Sequence, residues 1–273
     1  MTIAVVWQED GHQWCAADTR IVAGSEDKQT TEIASKIFVI PVLASAMLPD
    51  SIIRAPHFHT KYGFVYAGAT SPASMTAITA ATLLQTLARP GDRSNPPTFE
   101  NIAALVHRLA KRFMSERRQF GAEGLFSAAL FGWCHYSNAF KIAHIDGRED
   151  AGIFRVELSY PPAPPTDGDP WLVLGGARSA FEATLVEYRS TEPFITKRVV
   201  RRTIERMVAD GLDPTVGGAT SVGVAHENGF DLFCGLEPVI LGQSLGRRVF
   251  NGLDLDIDVG DVGEYLVSIN GLA

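Results

Sequence analysis

Cysteine is scarce in this sequence, where Cys15, Cys134 and Cys234 are the only three among 273 residues. An odd and sparse set does not form the disulfide framework of a small secreted protein. Positive charge is also in the minority, because 24 lysines and arginines face 31 aspartates and glutamates, which gives a net charge of -7. A dedicated nucleic-acid binder normally carries the opposite balance. We therefore expect a reducing compartment and no nucleic-acid partner.

Long apolar runs are missing as well. The longest, residues 38–48, contains Pro41 and is about half of the ~18–20 residues that a membrane helix needs. The first residues lack the basic region of a secretory signal, and Gln8 interrupts their apolar run. These absences argue against a membrane partner, and they predict localisation in the cytoplasm.

The composition that remains is ordinary for a globular protein, with 46% hydrophobic and 20% charged residues. Hydrophobic periodicity and turn residues divide the chain into groups of strands and pairs of helices. The predicted strands are 2–8, 12–18, 35–43, 62–69, 125–133, 139–145, 152–159 and 171–176, and the predicted helices are 73–88, one that begins after the cap Thr98, 178–188 and 196–210. Residues 44–61 fit no clean period and are interpreted as an insertion or loop.

Strands that cluster, with helices in pairs, differ from the strict alternation of a parallel βαβ fold. The order predicts an α+β protein in which two mainly antiparallel sheets lie between two helix layers, a four-layer αββα sandwich. We expect one domain over 1–273, with an insertion at 41–61 and a C-terminal extension at about 234–273.

The second residue carries the first chemical signal. Thr2 follows Met1, and methionine is usually removed before a small residue, so Thr2 is expected at the mature N-terminus. A free N-terminal threonine combines a hydroxyl nucleophile with an amine base whose pKa lies near about 7.7–8.0. A nearby lysine lowers the pKa of both groups by like-charge repulsion and by stabilising the alkoxide.

Several segments then resemble the proteasome β-subunits, which belong to the N-terminal nucleophile hydrolases. The resemblance covers roughly 2–40, 62–88 and 125–233. The segments that carry it are Thr2-Ile3-Ala4-Val5-Val6, Asp10-Gly11, Ala16-Ala17-Asp18-Thr19-Arg20, Ser35-Lys36-Ile37-Phe38-Val39-Ile40, Ala67-Gly68-Ala69, Leu174-Gly175-Gly176-Ala177-Arg178-Ser179, and Asp213 followed by Gly217-Gly218. The spacing from Asp18 to Lys36 is two residues longer than the family pattern, and the extra residues fall in the loop before Lys36.

The resemblance implies a self-compartmentalising threonine peptidase, a hydrolase that acts on peptides or unfolded proteins inside a homo-oligomeric ring. In this interpretation Thr2 is the nucleophile, Lys36 tunes it, and Asp18 holds Lys36. The Gly68 N–H would stabilise the oxyanion, and Asp213 would belong to the same catalytic group. No cofactor and no metal are implied, and the sequence leaves open whether an ATPase serves the ring.

Two departures from the family pattern keep alternatives open. The serines expected in two Gly-rich turns are replaced by Gly176 and by Gly217 or Gly218, so that water, Thr220 or Ser221 would have to substitute. A catalytically weak or inactive ring-forming scaffold is one alternative. A small-molecule amidase that uses the same nucleophile is the other.

The resemblance also implies which residues line the pocket beside Thr2, and none of them is charged. They are Ile21, Ala34, Phe38, Tyr66 and Thr70. Burial of an apolar side chain against such a wall stabilises a complex by about 1.5–3 kcal/mol. The expected preference is therefore for Leu, Phe or Tyr, rather than a charged residue, before the cleaved bond.

Two other patterns resemble metal sites but are interpreted otherwise. His57 and His59 share one face of a strand but have no third ligand nearby in sequence. The aspartates from Asp254 to Asp261 lack the glycine and glutamate positions of a calcium loop. Because apolar residues alternate with these aspartates, the segment is interpreted as a half-buried strand with a charged outer face.

Overall fold

The computed structural model describes residues 2–23, 28–47, 54–90, 95–120, 124–192, 194, 197–236 and 246–272. Its strands are β1 (Ala4–Glu9), β2 (His12–Asp18), β3 (Ile21–Ala23), β4 (Lys28–Thr31), β5 (Ile37–Met47), β6 (Arg54–Gly68), β7 (Leu87–Pro90), β8 (Phe126–Cys134), β9 (Ala139–Asp150), β10 (Ile153–Ser159), β11 (Pro170–Leu174), β12 (Thr220–His226), β13 (Gly229–Leu236), β14 (Arg248–Phe250), β15 (Leu253–Asp254) and β16 (Gly271–Leu272). Its α-helices are α1 (Thr70–Leu84), α2 (Phe99–Gln119), α3 (Arg178–Thr191) and α4 (Val199–Asp210), and a π-helical turn spans Leu255–Val259.

Two main sheets organise these strands. The first has the order β11-β1-β2-β12-β13-β14-β15, and β16 pairs with β13. The second has the order β10-β9-β8-β6-β5-β7, and β3 pairs with β4 separately. The pairs inside both sheets are mostly antiparallel; β5 with β7 and β13 with β16 run parallel. The Asp10-Gly11 turn joins β1 to β2, which places Ala4 opposite Ala17.

Successive side chains of β1 point to opposite faces of the sheet, so they pack into two different cores. Ala4 and Val6 face the second sheet, where they join a cluster that includes Val65 and Phe131. The alternate residues of β1 face the other way and pack with helices α3 and α4. A third cluster lies between the second sheet and helices α1 and α2. The result is the predicted four-layer αββα sandwich of class α+β, which is confirmed.

The loop interpretation is wrong for residues 44–47 and 54–61, and residues 48–53 lie outside the described part of the chain. Strands β5 and β6 pair in antiparallel fashion from Ile37↔Val65 to Met47↔Arg54, so both flanks of the undescribed residues 48–53 belong to the second sheet. Pro41 is tolerated because β7 pairs only with residues 44–47 of β5, which leaves the missing N–H on an open edge. The interpretation of 41–61 as an insertion, and of about 234–273 as an extension, stays a prediction.

The strand expected around Asp254 is also wrong. The strand ends at Asp254, whose carboxylate accepts hydrogen bonds from the N–H groups of Asp256 and Ile257 and so begins the π-helical turn. A short polar side chain that bonds its own backbone in this way competes with a sheet ladder. Ile257 is 81% exposed, whereas the strand interpretation placed it on the buried face. Within the described ranges, no helix is long and apolar enough to cross a membrane.

Helix α2 shows how the sequence sets an element boundary. Thr98 caps it, because the Thr98 hydroxyl accepts a hydrogen bond from the Asn101 N–H at 3.3 Å. Glu100 lies in the first turn and Arg117 in the last, which suits the helix dipole. The apolar face of α2, including Ile102 and Val106, packs into the cluster below the second sheet.

The cap gives a stability prediction. We expect Thr98→Ala to lower the free energy of unfolding by about 1 kcal/mol, because the Asn101 N–H loses its acceptor. Thr98→Ser keeps that acceptor, so its free energy of unfolding should stay within a few tenths of a kcal/mol of the wild-type value. Urea unfolding measures both variants, and equal losses in the two would show that the methyl group rather than the cap matters.

Candidate active site

Three polar residues meet where strands of both sheets begin or end. Thr2 precedes β1, Asp18 is the last residue of β2, and Lys36 precedes β5. The β1–β2 hairpin brings the first two together in the first sheet, and β5 brings Lys36 from the second sheet. All three side chains are buried, with Thr2 at 5% exposure.

The Lys36 ammonium lies at the centre of this cluster. It donates hydrogen bonds to the Thr2 Oγ1, to the Asp18 Oδ1 at 2.8 Å and to the Arg20 carbonyl oxygen at 2.5 Å. An ammonium has three protons and no acceptor, so these three contacts use its full capacity. The Thr2 oxygen is therefore an acceptor of a charged donor, which favours its alkoxide form.

Asp18 is held from three further directions. Its Oδ1 accepts from the Ile3 N–H at 3.1 Å, and its Oδ2 accepts from the N–H groups of Arg20 at 3.2 Å and Gly217 at 3.3 Å. These bonds fix the carboxylate, and through it the ammonium, relative to Thr2. The side chains of Lys36 and Asp18 are only 2% and 0% exposed, so they form a buried ion pair.

Burial sets the electrostatics of the pair. Desolvation lowers the pKa of the Lys36 ammonium below its ordinary value, and the charge of Asp18 works against that decrease. Desolvation likewise raises the pKa of Asp18, opposed by Lys36 and by the N–H donors. An ammonium with a lowered pKa releases its proton more readily than a free lysine, and it touches the Thr2 oxygen. The arrangement can therefore stabilise an alkoxide or exchange a proton with the hydroxyl.

The two Gly-rich turns near Thr2 carry glycine where the family pattern has serine. A Cβ built on Gly175, whose φ is +103°, would lie 1.8 Å from the Thr2 carbonyl oxygen, so only glycine fits there. Gly176, where the family pattern placed a hydroxyl, is exposed. At the second turn, a Cβ on Gly217 would lie 2.2 Å from the Arg20 guanidinium carbon. The Ser221 hydroxyl, one of the proposed substitutes, donates instead to Asn251.

Asp213 lies in the loop that supplies the Gly217 N–H. Its Oδ1 accepts from the Thr215 N–H at 2.8 Å and from the Thr215 hydroxyl, and none of its hydrogen bonds within the described residues reaches Thr2. The carboxylate therefore shapes the loop. Membership of Asp213 in the catalytic group stays a prediction.

Arg20 holds the loop that contains Asp213 and Gly217 next to the site. Its guanidinium donates to the carbonyl oxygens of Pro214 at 2.9 Å and Val216 at 3.1 Å and pairs with Glu32 at 2.8 Å. The sequence alone does not predict this role of Arg20, and its place in the Asp18-Thr19-Arg20 segment was the available signal.

A cavity of about 210 Å³ opens beside the nucleophile. Gly68, Ile21 and Thr70 line it, as do Thr2, Val22, Lys36, Ala69, Ser71, Pro72 and Arg117. Ala34, Phe38 and Tyr66 are not among the lining residues. Phe38 packs on Tyr66, with ring centroids 6.2 Å apart, next to the core below the second sheet.

The expectation of an uncharged wall does not fit this cavity, because Arg117 of helix α2 lines it in addition to Lys36. Spacing along the sequence could not reveal this residue. Arg117 lies 81 positions after Lys36, in a basic segment typical of a solvated helix face. The substrate-binding roles of Ile21 and Thr70 stay predictions.

No group of three or more His, Cys, Asp or Glu side chains in the described part of the chain is arranged to hold a metal ion. His57 is partly buried and His59 is exposed on β6, without a third ligand among the described residues. The three cysteines are buried and free.

The close contact behind Thr2 gives a prediction about geometry. We expect Gly175→Ala to slow covalent labelling of Thr2 by a hydroxyl-directed inhibitor about 10²-fold, the scale of a 1 Å displacement of a reacting group. The new Cβ must push the Thr2 carbonyl away. A time course of intact mass measures the labelling rate.

Gly152→Ala is the matched control. Gly152 also has a positive φ, +77°, but a Cβ there meets nothing within 4 Å. It therefore carries the same kind of backbone strain without a collision. Equal labelling rates for the two variants would show that Gly175 does not position Thr2.

No family model matches the chain, and no curated protein matches it. Among solved structures, a Gly-1 mutant of Anbu from Hyphomicrobium sp. strain MC1 is similar with a TM-score of 0.53 and 14% sequence identity, over 92% of this chain and 87% of that chain. Anbu (ancestral beta-subunit) from Yersinia bercovieri is similar with a TM-score of 0.49 and 13% identity, over 81% of each chain.

These comparisons correct the assignment of the chain to the proteasome β-subunits as a divergent bacterial homologue. No family model supports that membership, and the solved structure that shares the fold is an Anbu protein at only 14% sequence identity. At 14% identity, the similarity to the Hyphomicrobium protein shows a shared fold alone. What the chain has in common with known proteins is therefore the fold of an Anbu protein.

Proposed function

We propose that this protein hydrolyses amide bonds of peptides through Thr2 as an N-terminal nucleophile. One observation carries the proposal. A buried ammonium, Lys36, donates simultaneously to the Thr2 hydroxyl oxygen and to a carboxylate that accepts from three backbone N–H groups. A structural ion pair needs the carboxylate but not the hydroxyl, and Thr2 lines a cavity.

The chemistry follows from this arrangement. The Thr2 Oγ1 attacks the substrate carbonyl carbon, and its proton passes to the free Thr2 amine, directly or through water. The carbonyl oxygen becomes an oxyanion, for which the Gly68 N–H is the expected donor; loss of such a donor typically costs about 2.7–4 kcal/mol of transition-state stabilisation. The C–N bond then breaks, and the leaving amine of the substrate takes the proton from the Thr2 ammonium. Water later hydrolyses the ester, which releases the acyl part as a carboxylic acid and regenerates Thr2.

The proposal requires a free Thr2 amine, because an amide nitrogen is not a base. Removal of Met1 provides it. A peptide or unfolded protein as substrate, a homo-oligomeric ring and threonine-type peptidase activity belong to the same proposal and stay predictions.

Intact mass spectrometry tests the proposal directly. After incubation with an uncharged hydroxyl-directed inhibitor, we expect a chain that begins at Thr2 and carries one inhibitor. Thr2→Ser should still be labelled, and Thr2→Ala should not. Unlabelled protein that retains Met1 would support the inactive scaffold instead, and peptide hydrolysis by a chain that retains Met1 would refute the mechanism.

The buried ion pair gives a second prediction. We expect Lys36→Met to abolish labelling of Thr2 and to lower the free energy of unfolding by about 3–5 kcal/mol, because Asp18 stays buried without its partner. Removal of Lys36 also removes the charge that opposes the raised pKa of Asp18. The folded variant then binds a proton that the unfolded chain releases, so its stability falls as the pH rises above 3.8, the ordinary aspartate value.

The double variant Asp18→Asn with Lys36→Met separates stability from chemistry. It buries no unpaired charge, so it should regain much of the lost stability and lose the pH dependence, while Thr2 stays unlabelled. Urea unfolding at several pH values and mass spectrometry give the two readouts. Labelling at the wild-type rate in either variant would remove Lys36 from the mechanism.

A further inference from the structure

Arg117 reaches the candidate active site from a part of the chain remote in sequence. It lies in the last turn of helix α2, on the opposite side of the second sheet from β1. Arg117 nevertheless lines the same cavity as Thr2, Lys36 and Gly68. A cationic residue thus borders a small, partly open cavity together with the proposed nucleophile.

This guanidinium has no partner within the described residues. Its Nε is buried and makes no hydrogen bond, and no ion pair of Arg117 is found there. Its neighbours on the helix differ, since Arg118 pairs with Glu149 at 2.6 Å and Arg112 lies 4.0 Å from Glu116. Buried polar groups are almost always hydrogen-bonded, so an unpartnered donor at a cavity wall indicates an acceptor that arrives with a ligand.

The rest of the wall leaves this positive charge uncompensated. Among the residues that the structure describes, the lining contains no aspartate or glutamate, and its one other cation, Lys36, is neutralised by Asp18. Helix α1 begins at Thr70 on the same wall, and its first turn contains no acidic residue. The positive end of its dipole therefore adds to the field of Arg117.

We propose that Arg117 selects substrates that carry a carboxylate next to the cleaved bond. This inference rests on the proposed function, because it names the substrate class of the same site. A guanidinium binds a carboxylate through two parallel N–H···O bonds, which no apolar or neutral side chain can replace. The carboxylate comes from a Glu or Asp side chain before the cleaved bond or from a free chain terminus.

An apolar residue in this cavity would bury the Arg117 charge further without supplying an acceptor. A lysine or arginine of the substrate would be repelled by the charge of Arg117. The expected preference for Leu, Phe or Tyr is therefore replaced by a preference for acidic residues.

Binding of paired peptides tests the inference without requiring chemistry. The protein is the full chain with Thr2→Ala, and the probes are tetrapeptides capped at both ends, with Glu or Gln at the third position. A third probe has Gln and a free C-terminal carboxylate. We expect at least tenfold tighter binding of one carboxylate probe than of the capped Gln probe by calorimetry, with the difference reduced at high salt. The tighter of the two identifies the carboxylate source.

The affinity for the carboxylate probe, divided by that for the capped Gln probe, should fall to about one when Arg117→Met is added. With Arg117→Lys it should fall to an intermediate value, because lysine keeps the charge but cannot donate two parallel hydrogen bonds. Arg112→Met is the matched control, because it removes the same charge from an exposed position of the same helix. It should leave the ratio unchanged. Circular dichroism verifies that each variant is folded.

The outcomes separate the two proposals. Equal affinities for all three probes, or a carboxylate preference that survives Arg117→Met, would overturn the role of Arg117 whether or not the protein hydrolyses peptides. Failure of wild-type protein to react with the uncharged inhibitor would overturn the proposed function. A carboxylate preference that depends on Arg117 would still stand as a binding property of the cavity.

Discussion

The buried pair of Lys36 and Asp18 is the interaction on which the rest of the site depends. Both charges are removed from water, which is unfavourable unless each finds several partners. Asp18 finds three backbone N–H donors, and Lys36 finds a carboxylate, a carbonyl and the Thr2 hydroxyl. Because the partners come from both sheets, the pair also constrains how the ends of β1, β2 and β5 meet.

This constraint explains the irregular backbone around the site. Arg20 holds the loop that offers the Gly217 N–H, and Gly175 lets the chain pass directly behind Thr2. Where the family pattern has hydroxyl side chains, this chain has main-chain donors and a close backbone contact. The nucleophile is thus positioned mostly by the backbone, whose conformation is set by the fold.

Much of the fold was predictable from the sequence, because strands that alternate apolar and polar residues and amphipathic helices such as α2 carry strong periodic signals. The group of Thr2, Asp18 and Lys36 was also recognisable, since its spacing resembles that of the proteasome β-subunits. The pairing of residues 44–47 with 54–58 was not predicted, because it depends on the register between two strands rather than on a local period. Arg117 was missed for a similar reason, as only packing of α2 brings it to the cavity.

The location of Arg117 on an outer helix has a consequence for how such a protein can evolve. None of its hydrogen bonds in the described chain joins the network of Lys36 and Asp18, and α2 contributes no other residue to the cavity wall. The proposed recognition residue and the proposed catalytic pair therefore lie in separate layers of the sandwich. Under this proposal, a single substitution in α2 would change the choice of substrate while the buried pair, and the fold that it constrains, stays intact.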